Sequence, residues 1–561
     1  MSERPSRRPL ASIALAILVA TVAPASVVSA EDSPKDPMRM APTCIDGRAT
    51  VRTTEGLPLV VGPCGESGSD VQGPAPEVPE VPASGPLDCV VPGYDDRCEA
   101  WTAPRYDGPW PGSNDYPGFG SFDRVRTVIA HPSKDLVFVG GTSTYTNGGL
   151  PDADFVEIAY RASTGQPVWA TTLEGIEDRT IAYQTSFALS PDGERLYAVG
   201  TAAVPGVYSY ASVIAAFDTD TGRFLWGRRT PSSAQSVETA SVTLPDETVE
   251  ERIFVGGVGR AISALDPSDG STIWTSVFPR GPHGARFNEI AVSPDGSRVF
   301  ATGGEHRPDG FAGNFTTVAF DAIEGEQLWV ARDELTQPDG FFGNNGASDL
   351  KVTPDGSRVI IAGLDPRTGT MLGSDASPIL TVAYEAGTGE RAWRRSYGGP
   401  VEGETHFYFT LFQGMMDLSP DGRTVVLTAA INSHNSTGTV AYDVATGAQK
   451  WGVESVEYAY VVVNHIGYYP SVVVSGDRAY VSNRRGIGYS QFRAVTTAYD
   501  LGDGNLDWTA RLGTNRTLFG GSALTGDRKR LVVASADHAL SPGFPAPNVD
   551  TLDILTAAYD A

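Results

Sequence analysis

One short phrase recurs along this chain and limits what it can fold into. Gly438 to Trp451 reads GTVAYDVATGAQKW, and related stretches read ASVIAAFDTDTGRFLW, FTTVAFDAIEGEQLW and ILTVAYEAGTGERAW. Each phrase is an alternating apolar strand, a turn with Asp and Gly, and a second strand that reaches Trp. A recurring phrase predicts one unit used many times, because such units bury their apolar faces against their neighbours. We therefore expect one repeat architecture, although a chain of 561 residues suggests roughly two to four domains.

A second recurring turn supplies the other half of each unit. It reads SPDGER from Ser190, SPDGSR from Ser293, TPDGSR from Thr353 and SPDGRT from Ser419, with weaker forms from His131 and Ser475. Pro and Asp favour entry into the turn, and Gly tolerates the positive φ that closes it. Two hairpin turns in each unit predict four strands in each unit.

Two series of residues set the number of units at eight. The Trp that ends a unit recurs as Trp101, Trp169, Trp226, Trp274, Trp329, Trp393, Trp451 and Trp508. The strand before it is marked by Tyr160, Phe217, Leu265, Phe320, Tyr384, Tyr442, Tyr499 and Tyr559. The series are offset, because the first Trp strand, EAWTAPRYDG, has no partner before it and the last strand, LTAAYDA, has no Trp after it. Such an offset predicts ring closure, in which the first strand completes the last unit and no edge is left unpaired.

The predicted fold is therefore all-β. It is an eight-bladed β-propeller with four-stranded blades over residues 99–561, closed by an N-terminal strand and preceded by a small disulfide-containing module.

The first thirty residues resemble a secretory signal. Three arginines, Arg4, Arg7 and Arg8, precede the apolar run ASIALAILVATVAPASVV, and small residues precede Glu31. This order predicts a signal peptide over residues 1–30, cleaved after Ala30, and a secreted, extracellular product. No second apolar run is long enough to span a bilayer, so we expect no membrane insertion.

All four cysteines precede the repeats. Cys44, Cys64, Cys89 and Cys98 form an even set, which in an oxidising compartment predicts two disulfides with three possible pairings. A zinc site is disfavoured, because none of the four lies in a CxxC and no His lies among them. Residues 31–65 are interpreted as a small Cys-containing module. Residues 66–98 are interpreted as a Pro/Gly-rich linker and Cys loop.

The charge of the chain disfavours two classes of partner. A formal net charge of −25 opposes broad contact with nucleic-acid phosphates or with an anionic membrane surface, since both require clustered Lys and Arg. We expect no nucleic-acid partner.

The phrase AYDxxTGxxxW resembles the blade motif of quinoprotein-like propellers, the family of the pyrroloquinoline quinone alcohol dehydrogenases and of the bacterial outer-membrane assembly propeller. In that family the outer-strand Trp packs against the neighbouring blade, which implies a structural role for Trp226, Trp329, Trp393 and Trp451. The catalytic branch would be expected to carry adjacent cysteines, a Trp beneath the cofactor and a calcium-holding cluster. The repeats here contain no Cys, so the resemblance favours the non-catalytic branch.

Other catalytic signatures are missing as well. The sequence has neither HExxH nor GxSxG, which disfavours zinc proteases and serine hydrolases. The acidic stretch Asp500 to Asp507 departs from the order of a calcium-binding loop and occupies the position of a blade turn. We expect no cofactor, with calcium or pyrroloquinoline quinone as the open alternatives.

Polar residues near the start of each innermost strand are candidates for ligand binding at the channel rim. Aligned on the SPDG turn, they are Arg126, Gln184, Arg286, Asn288, Glu289, Asn345, Asp349 and Gln413. Among the carboxylates expected nearest the axis, Glu289, Asp349 and Asp417 are candidates for holding a cation.

Two functions remain open from the sequence. The favoured one is a monomeric, non-catalytic binding or scaffold protein that uses its rim and long loops to bind an extracellular protein, glycan or small molecule. The alternative is an enzyme, either a quinone- and calcium-dependent oxidoreductase or a lactonase-like hydrolase, because SPDGSRVF also occurs in lactonase-type propellers.

Overall fold

The computed structural model is described here over a defined set of residues. They are 43–45, 48–52, 58–63, 99–103, 124–147, 150–173, 182–204, 209–230, 234–257, 259–278, 285–306, 312–333, 346–364, 378–398, 414–431, 436–455, 470–488, 491–513, 517–539 and 551–561. The regular elements in these ranges are 35 β-strands. Within the same ranges, no helix is long and apolar enough to cross a membrane.

Eight four-stranded antiparallel sheets form the described part of the repeat region. Blade 1 contains β5 (Arg124–Ala130), β6 (Val137–Asn147), β7 (Leu150–Tyr160) and β8 (Pro167–Leu173); blade 2 contains β9 (Ala182–Leu189), β10 (Arg195–Val204), β11 (Ser209–Asp218) and β12 (Phe224–Arg229). Blade 3 contains β13 (Ser236–Thr243), β14 (Val249–Gly256), β15 (Ala261–Leu265) and β16 (Thr272–Val277); blade 4 contains β17 (Ala285–Val292), β18 (Arg298–His306), β19 (Ala312–Asp321) and β20 (Gln327–Asp333).

The second half of the ring repeats this plan. Blade 5 contains β21 (Ala347–Val352), β22 (Arg358–Leu364), β23 (Ile379–Glu385) and β24 (Arg391–Tyr397); blade 6 contains β25 (Met416–Leu418), β26 (Thr424–Ile431), β27 (Ser436–Asp443) and β28 (Gln449–Glu454). Blade 7 contains β29 (Ser471–Val474), β30 (Arg478–Gly488), β31 (Gln491–Asp500) and β32 (Leu506–Leu512); blade 8 contains β33 (Thr517–Leu524), β34 (Arg530–Ala539), β35 (Thr551–Asp560) and β4 (Glu99–Thr102).

The blades close into a ring, as the offset between the two residue series predicts. The first strand of each blade contacts the first strand of the next, and β33 of blade 8 contacts β5 of blade 1. Strand β4 comes from the start of the repeat region and pairs with β35, with Trp101 opposite Ala558 and Glu99 opposite Tyr559. The all-β, eight-bladed fold with four-stranded blades is therefore confirmed.

The tight turns follow the chemistry expected from their sequence. In the SPDG turns, Gly193, Gly296, Gly356 and Gly422 have φ between +68° and +76°, in the left-handed region. Two further turns of this kind escape the sequence pattern, because Glu247 and Arg528 take the place of the glycine. Both have positive φ, 67° and 57°. The fold therefore sets the turn conformation even where the side chain disfavours it.

Six outer-strand tryptophans in the described ranges join their blade to the next one through the indole N–H. The indole Nε1 of Trp329 donates to the carbonyl of Ala386 at 3.0 Å, and that of Trp393 donates to Val444 at 2.8 Å. The turn glycine of the next blade lies directly beneath the ring, because a Cβ on Gly389 would lie 2.6 Å from Trp329. The same bond and the same glycine contact recur from Trp169, Trp226, Trp274 and Trp451. The structural role implied for these tryptophans agrees with these contacts.

The apolar core lies in layers between consecutive blades. Between blades 5 and 6, for example, Ile360 and Trp393 pack with Val425 and Val440, all of them buried. Full burial of one such side chain contributes roughly 1.5–3 kcal/mol. Because every blade shares its core with two neighbours, an incomplete ring would expose two apolar faces.

The two faces of the ring differ in their connections. Both tight turns of blades 1 to 7 and the one tight turn of blade 8 lie on one face, which we call the turn face. The inner strands begin on the opposite face, the loop face, where the longer connections attach. The inner strands begin there at Arg124, Ala182, Ser236, Ala285, Ala347, Met416, Ser471 and Thr517.

A separate antiparallel sheet precedes the ring. It has the order β1 (Thr43–Ile45), β2 (Arg48–Arg52) and β3 (Pro58–Pro63). The side chains of this sheet, all four cysteine side chains and the segments 1–30 and 66–98 lie outside the described residues. The signal peptide, the disulfides and the linker therefore remain predictions.

Candidate functional site

Charged residues from four consecutive inner strands meet inside the ring. They are Glu238 on β13, Glu289 on β17, Asp349 and Lys351 on β21, and Asp417 on β25. We call these five residues the lysine–carboxylate cluster. Alternation along β21 places Asp349 and Lys351 on the same side of the strand. The cluster therefore combines one cation with four carboxyl groups.

Lys351 is partly exposed, as are Glu238 and Asp417, whereas Glu289 and Asp349 are buried. The Nζ of Lys351 lies 3.6 Å from Oδ1 of Asp349, and its side chain is 35% exposed whereas that of Asp349 is completely buried. The charge of Asp349 raises the pKa of Lys351 above its ordinary value, and Glu289, Asp417 and Glu238 add to this effect against the opposing effect of burial. Lys351 is therefore held as a cation, which suits it to hydrogen bonding and not to nucleophilic or base chemistry.

Both glutamates of the cluster hold a proton to higher pH than an ordinary glutamate does. Burial raises the pKa of Glu289 well above its ordinary value, and the charge of Asp349 raises it further. Its Oε1 accepts a hydrogen bond from the hydroxyl of Ser236 at 3.2 Å, and its Oε2 has no partner among the described residues. Burial also raises the pKa of Glu238 to about 7, against an opposing effect of Lys351.

The two aspartates tie neighbouring inner strands together. Oδ2 of Asp349 accepts the backbone N–H groups of Gly414 at 3.0 Å and of Met416 at 2.9 Å, both in the next blade. Oδ2 of Asp417 accepts the N–H of Val474 in the blade after that at 2.8 Å. Burial raises the pKa of Asp417, while Lys351 and the Val474 amide oppose this shift. These carboxylates therefore contribute to holding the inner ring together.

The residues predicted for the rim do not form one site in the structure, and their contacts differ. The structure brings Glu289 and Asp349 together, and the amide of Asn288 donates to the carbonyl of Ala347 in the next blade at 2.9 Å. Arg286 lies near the start of β17 and is half-buried. Arg126 lies on β5, in a blade that contributes nothing to the cluster, and Gln184 lies on β9 with its side chain outside the described residues. Asn345 and Gln413 also fall outside them.

Sequence reasoning missed Lys351 and Glu238. The separation of two residues between Asp349 and Lys351 is a detectable signal, because it places a cation beside a carboxylate on one side of a strand. Glu238 had no comparable signal. In its blade, residues 244–247 form the turn that SPDG forms elsewhere. An alignment of the units on SPDG therefore does not include the strand that contains Glu238.

The cluster does not suit a calcium ion. Calcium requires several free oxygen ligands, whereas Asp349 and Asp417 already accept backbone N–H groups and the ammonium of Lys351 lies among the carboxylates. Within the described ranges, no three His, Cys, Asp or Glu side chains are arranged to hold a metal ion. The cation binding predicted for Glu289, Asp349 and Asp417 thus finds no support in this geometry.

The chain is similar to known propellers in sequence and in fold. The family described as outer membrane protein assembly factor BamB matches residues 133–370 and 378–539. BamB from Moraxella catarrhalis is 13% identical over 78% of this chain and 99% of its own, with a TM-score of 0.42. Sqt1 from Chaetomium thermophilum is 13% identical over 80% of this chain and 99% of its own, with a TM-score of 0.48. No curated protein sequence matches the chain.

Proposed function

This chain belongs to the family described as outer membrane protein assembly factor BamB, and on that premise we propose that it is a secreted propeller that binds a partner through its loop face without catalysing a reaction. The partner is an extracellular protein, a glycan or a small molecule. The description of the family as an assembly factor suits a binding role.

One observation carries the proposal: the two aspartates of the lysine–carboxylate cluster are engaged in structure. Asp349 and Asp417 accept backbone N–H groups from the next blade, and Lys351 is held as a cation by the carboxylates around it. General acid–base catalysis requires a group that can exchange a proton with a bound substrate. In the described part of the ring, Lys351 is a partly exposed member of the cluster, and as a cation it is suited to binding.

The loop face is the favoured binding surface for a structural reason. The turn face consists of tight turns in which Asp side chains bond to their own backbone, as Asp295 does with the N–H of Ser297 and Asp443 with that of Thr446. The longer connections attach to the other face. Substitutions and insertions in these connections leave the apolar cores between blades intact. The sequence of the loop face can therefore vary to recognise a partner.

Site-specific photocrosslinking tests the proposal. A benzoylphenylalanine at Val277, on the loop-face end of blade 3, and one at Ser436, on the loop-face end of blade 6, are exposed to envelope and culture-supernatant fractions. The matched control is Leu506, which lies at the turn-face end of an outer strand and is 63% exposed, close to the 56% of Val277. We expect crosslinks from the loop-face positions and none from Leu506. Equal crosslinking from Leu506, or none from either loop-face position, contradicts the proposal.

The enzymatic alternative has its own test. The mature protein is mixed with pyrroloquinoline quinone and calcium, and both its melting temperature and dye-linked alcohol oxidation are recorded. A compound that binds the folded state raises the melting temperature by mass action. We expect no shift and no oxidation, and a saturable shift accompanied by oxidation would refute the non-catalytic role.

A further inference from the structure

The lysine–carboxylate cluster contains more carboxyl groups than cations. Lys351 shares it with four carboxyl groups, those of Glu238, Glu289, Asp349 and Asp417. Arg286 is the other cation on the four inner strands that form the cluster. Burial alone shifts the pKa of Arg286, so its guanidinium does not balance these carboxyl groups. The cluster is therefore short of positive charge.

Two carboxyl groups of the cluster also lack hydrogen-bond donors. Oε2 of Glu289 has no hydrogen-bond partner in the described part of the chain, and this residue is 7% exposed. Oδ1 of Asp349 has none either, because the Lys351 ammonium is 3.6 Å away from it. A buried acceptor without a donor costs free energy. The cluster therefore lacks N–H or O–H donors as well as positive charge.

The protonation of the glutamates agrees with this shortage. Burial raises the pKa of Glu289 well above its ordinary value, and the charge of Asp349 raises it further. Burial also raises the pKa of Glu238 to about 7. A carboxyl group that no cation balances keeps its proton to higher pH. A cation that entered the cluster would displace such a proton.

Part of the cluster is open to solvent inside the ring. The side chain of Lys351 is 35% exposed, and Glu238 and Asp417 are also partly exposed. The strands that carry the cluster contact one another in the order β13, β17, β21 and β25. A small molecule that enters the ring on this side therefore meets the carboxyl groups of Glu238 and Asp417 directly.

We propose that the lysine–carboxylate cluster binds a small organic amine through a primary ammonium group. The inference goes beyond the partner binding proposed above, because the cluster lies inside the ring and not on the loop face. A primary ammonium group supplies both missing properties, since it carries one positive charge and three N–H donors. A neutral sugar supplies donors without the charge, and the carboxyl groups repel an anion.

The arrangement that excludes a metal ion is adequate for an ammonium group. A metal ion such as calcium requires several oxygen ligands around one point, and no three acidic, His or Cys side chains of the described ranges provide them. An ammonium group donates to separate acceptors without a fixed coordination shell, as the charge of Lys351 among the same carboxyl groups illustrates. The carboxyl groups that do not form a metal site are therefore still suited to an amine.

Calorimetric titration of the full-length mature protein with 1,5-diaminopentane tests the proposal. 1,5-Pentanediol has the same length without the charge, and tetramethylammonium has the charge without N–H donors. We expect saturable binding of the diamine and roughly tenfold weaker binding of each control, which corresponds to the loss of one strong polar contact. No binding of the diamine, or equal binding of either control, would overturn the proposal.

Glu238→Gln tests the location of the site. It removes a partly exposed carboxylate of the cluster and should weaken diamine binding roughly tenfold. Glu251→Gln is the matched control, because Glu251 lies in the same blade near the turn-face end of β14, is partly exposed and also has a raised pKa. This variant should retain wild-type affinity. An equal loss in both variants would indicate attraction by the overall negative charge and would reject the site.

The pH dependence of binding gives a second readout. Glu238 loses its proton at about pH 7, whereas an alkyl ammonium group stays charged between pH 6 and pH 8. An amine that requires the ionised carboxylate should therefore bind roughly tenfold more tightly at pH 8 than at pH 6. Glu238→Gln should weaken this dependence. An affinity that is constant with pH, or a dependence that is unchanged in Glu238→Gln, would contradict binding at the cluster.

The charged surroundings of Glu238 support the choice of this residue. Charged residues on the strands packed against β13 are Arg195 on β10, Glu250, Glu251 and Arg252 on β14, and Arg286 and Glu289 on β17, while β9 carries none. Among charged groups, Lys351 is the one that shifts the pKa of Glu238. The pH dependence therefore reports on the cluster.

The crosslinking test of the loop face is independent of the amine. Crosslinks from Val277 or Ser436 without diamine binding would remove the amine site and leave the loop-face role intact. Diamine binding without crosslinks would support the amine site and contradict the loop-face role.

Discussion

The carboxylate of Asp349 accepts the backbone N–H of Met416 at 2.9 Å, although the two residues lie in different blades. The same carboxylate lies beside Lys351, so it serves as an interblade tie and as a counter-charge.

Asp349→Ala is therefore expected to destabilise the ring strongly. It leaves a buried amide without its acceptor and removes the nearest counter-charge of Lys351, and breaking a buried charge pair costs roughly 3–5 kcal/mol. Chemical denaturation measures the loss. Asp349→Asn, which retains an acceptor, should lose less. If both variants were as stable as the wild type, the hydrogen bonds of Asp349 to the next blade would not contribute to stability.

Glu238 makes the stability of the fold depend on pH. Its pKa rises from the ordinary 4.5 to about 7 in the folded state, so the folded state binds the proton more tightly. Stability is then complete below about pH 4.5 and decreases as the pH rises toward about 7. Glu238→Gln should reduce this decrease, as measured by denaturation at a series of pH values. An unchanged profile would contradict the prediction.

Lys351→Met should make the loss of folding stability with rising pH larger and should extend that loss above pH 7. Lys351 lowers the pKa of Glu238, of Glu289 and of Asp417, so without the ammonium these acids hold their protons to higher pH. Denaturation at pH 6 and pH 8 measures the difference. Lys351→Arg retains the charge and should resemble the wild type; an equal effect of both substitutions would point to packing instead.

Gly389→Ala tests the contact between Trp and the next blade. Gly389 has a φ of +73°, and a Cβ would lie 2.6 Å from the Trp329 ring, so we expect a loss of roughly 2–4 kcal/mol from backbone strain and overpacking. Gly387, in the same turn, is the matched control because a Cβ there meets nothing within 4 Å. Gly387→Ala should change stability by about 0.5 kcal/mol or less. Similar losses in both variants would refute this account.

Deleting Glu99–Thr102 tests ring closure. The deletion removes the strand that pairs with β35, so it exposes an edge and should lower both solubility and melting temperature. Adding the peptide EAWTAPRYDG in trans should partly restore the melting temperature, whereas a scrambled peptide should not. A deletion variant as stable as the parent would contradict closure by β4.

The sequence by itself determined the blades. The eight Trp positions, the aromatic positions before them and the unmatched first and last strands predict the eight-bladed ring and its closure, because turn chemistry and strand alternation are local properties that repeat. It also assigned Glu289 and Asp349 to inner strands, and their predicted role in ligand binding stays a prediction.

The tertiary structure alone decided which charged residues meet. Glu238, Glu289, Lys351 and Asp417 come from four consecutive blades, and the packing of their inner strands against one another gathers these side chains. It also decided that Asp349 bonds to the next blade while Arg286 is left without an acceptor in the described residues. Hydrogen bonding and desolvation depend on distances across blade boundaries, and a pattern repeated along the chain does not encode those distances.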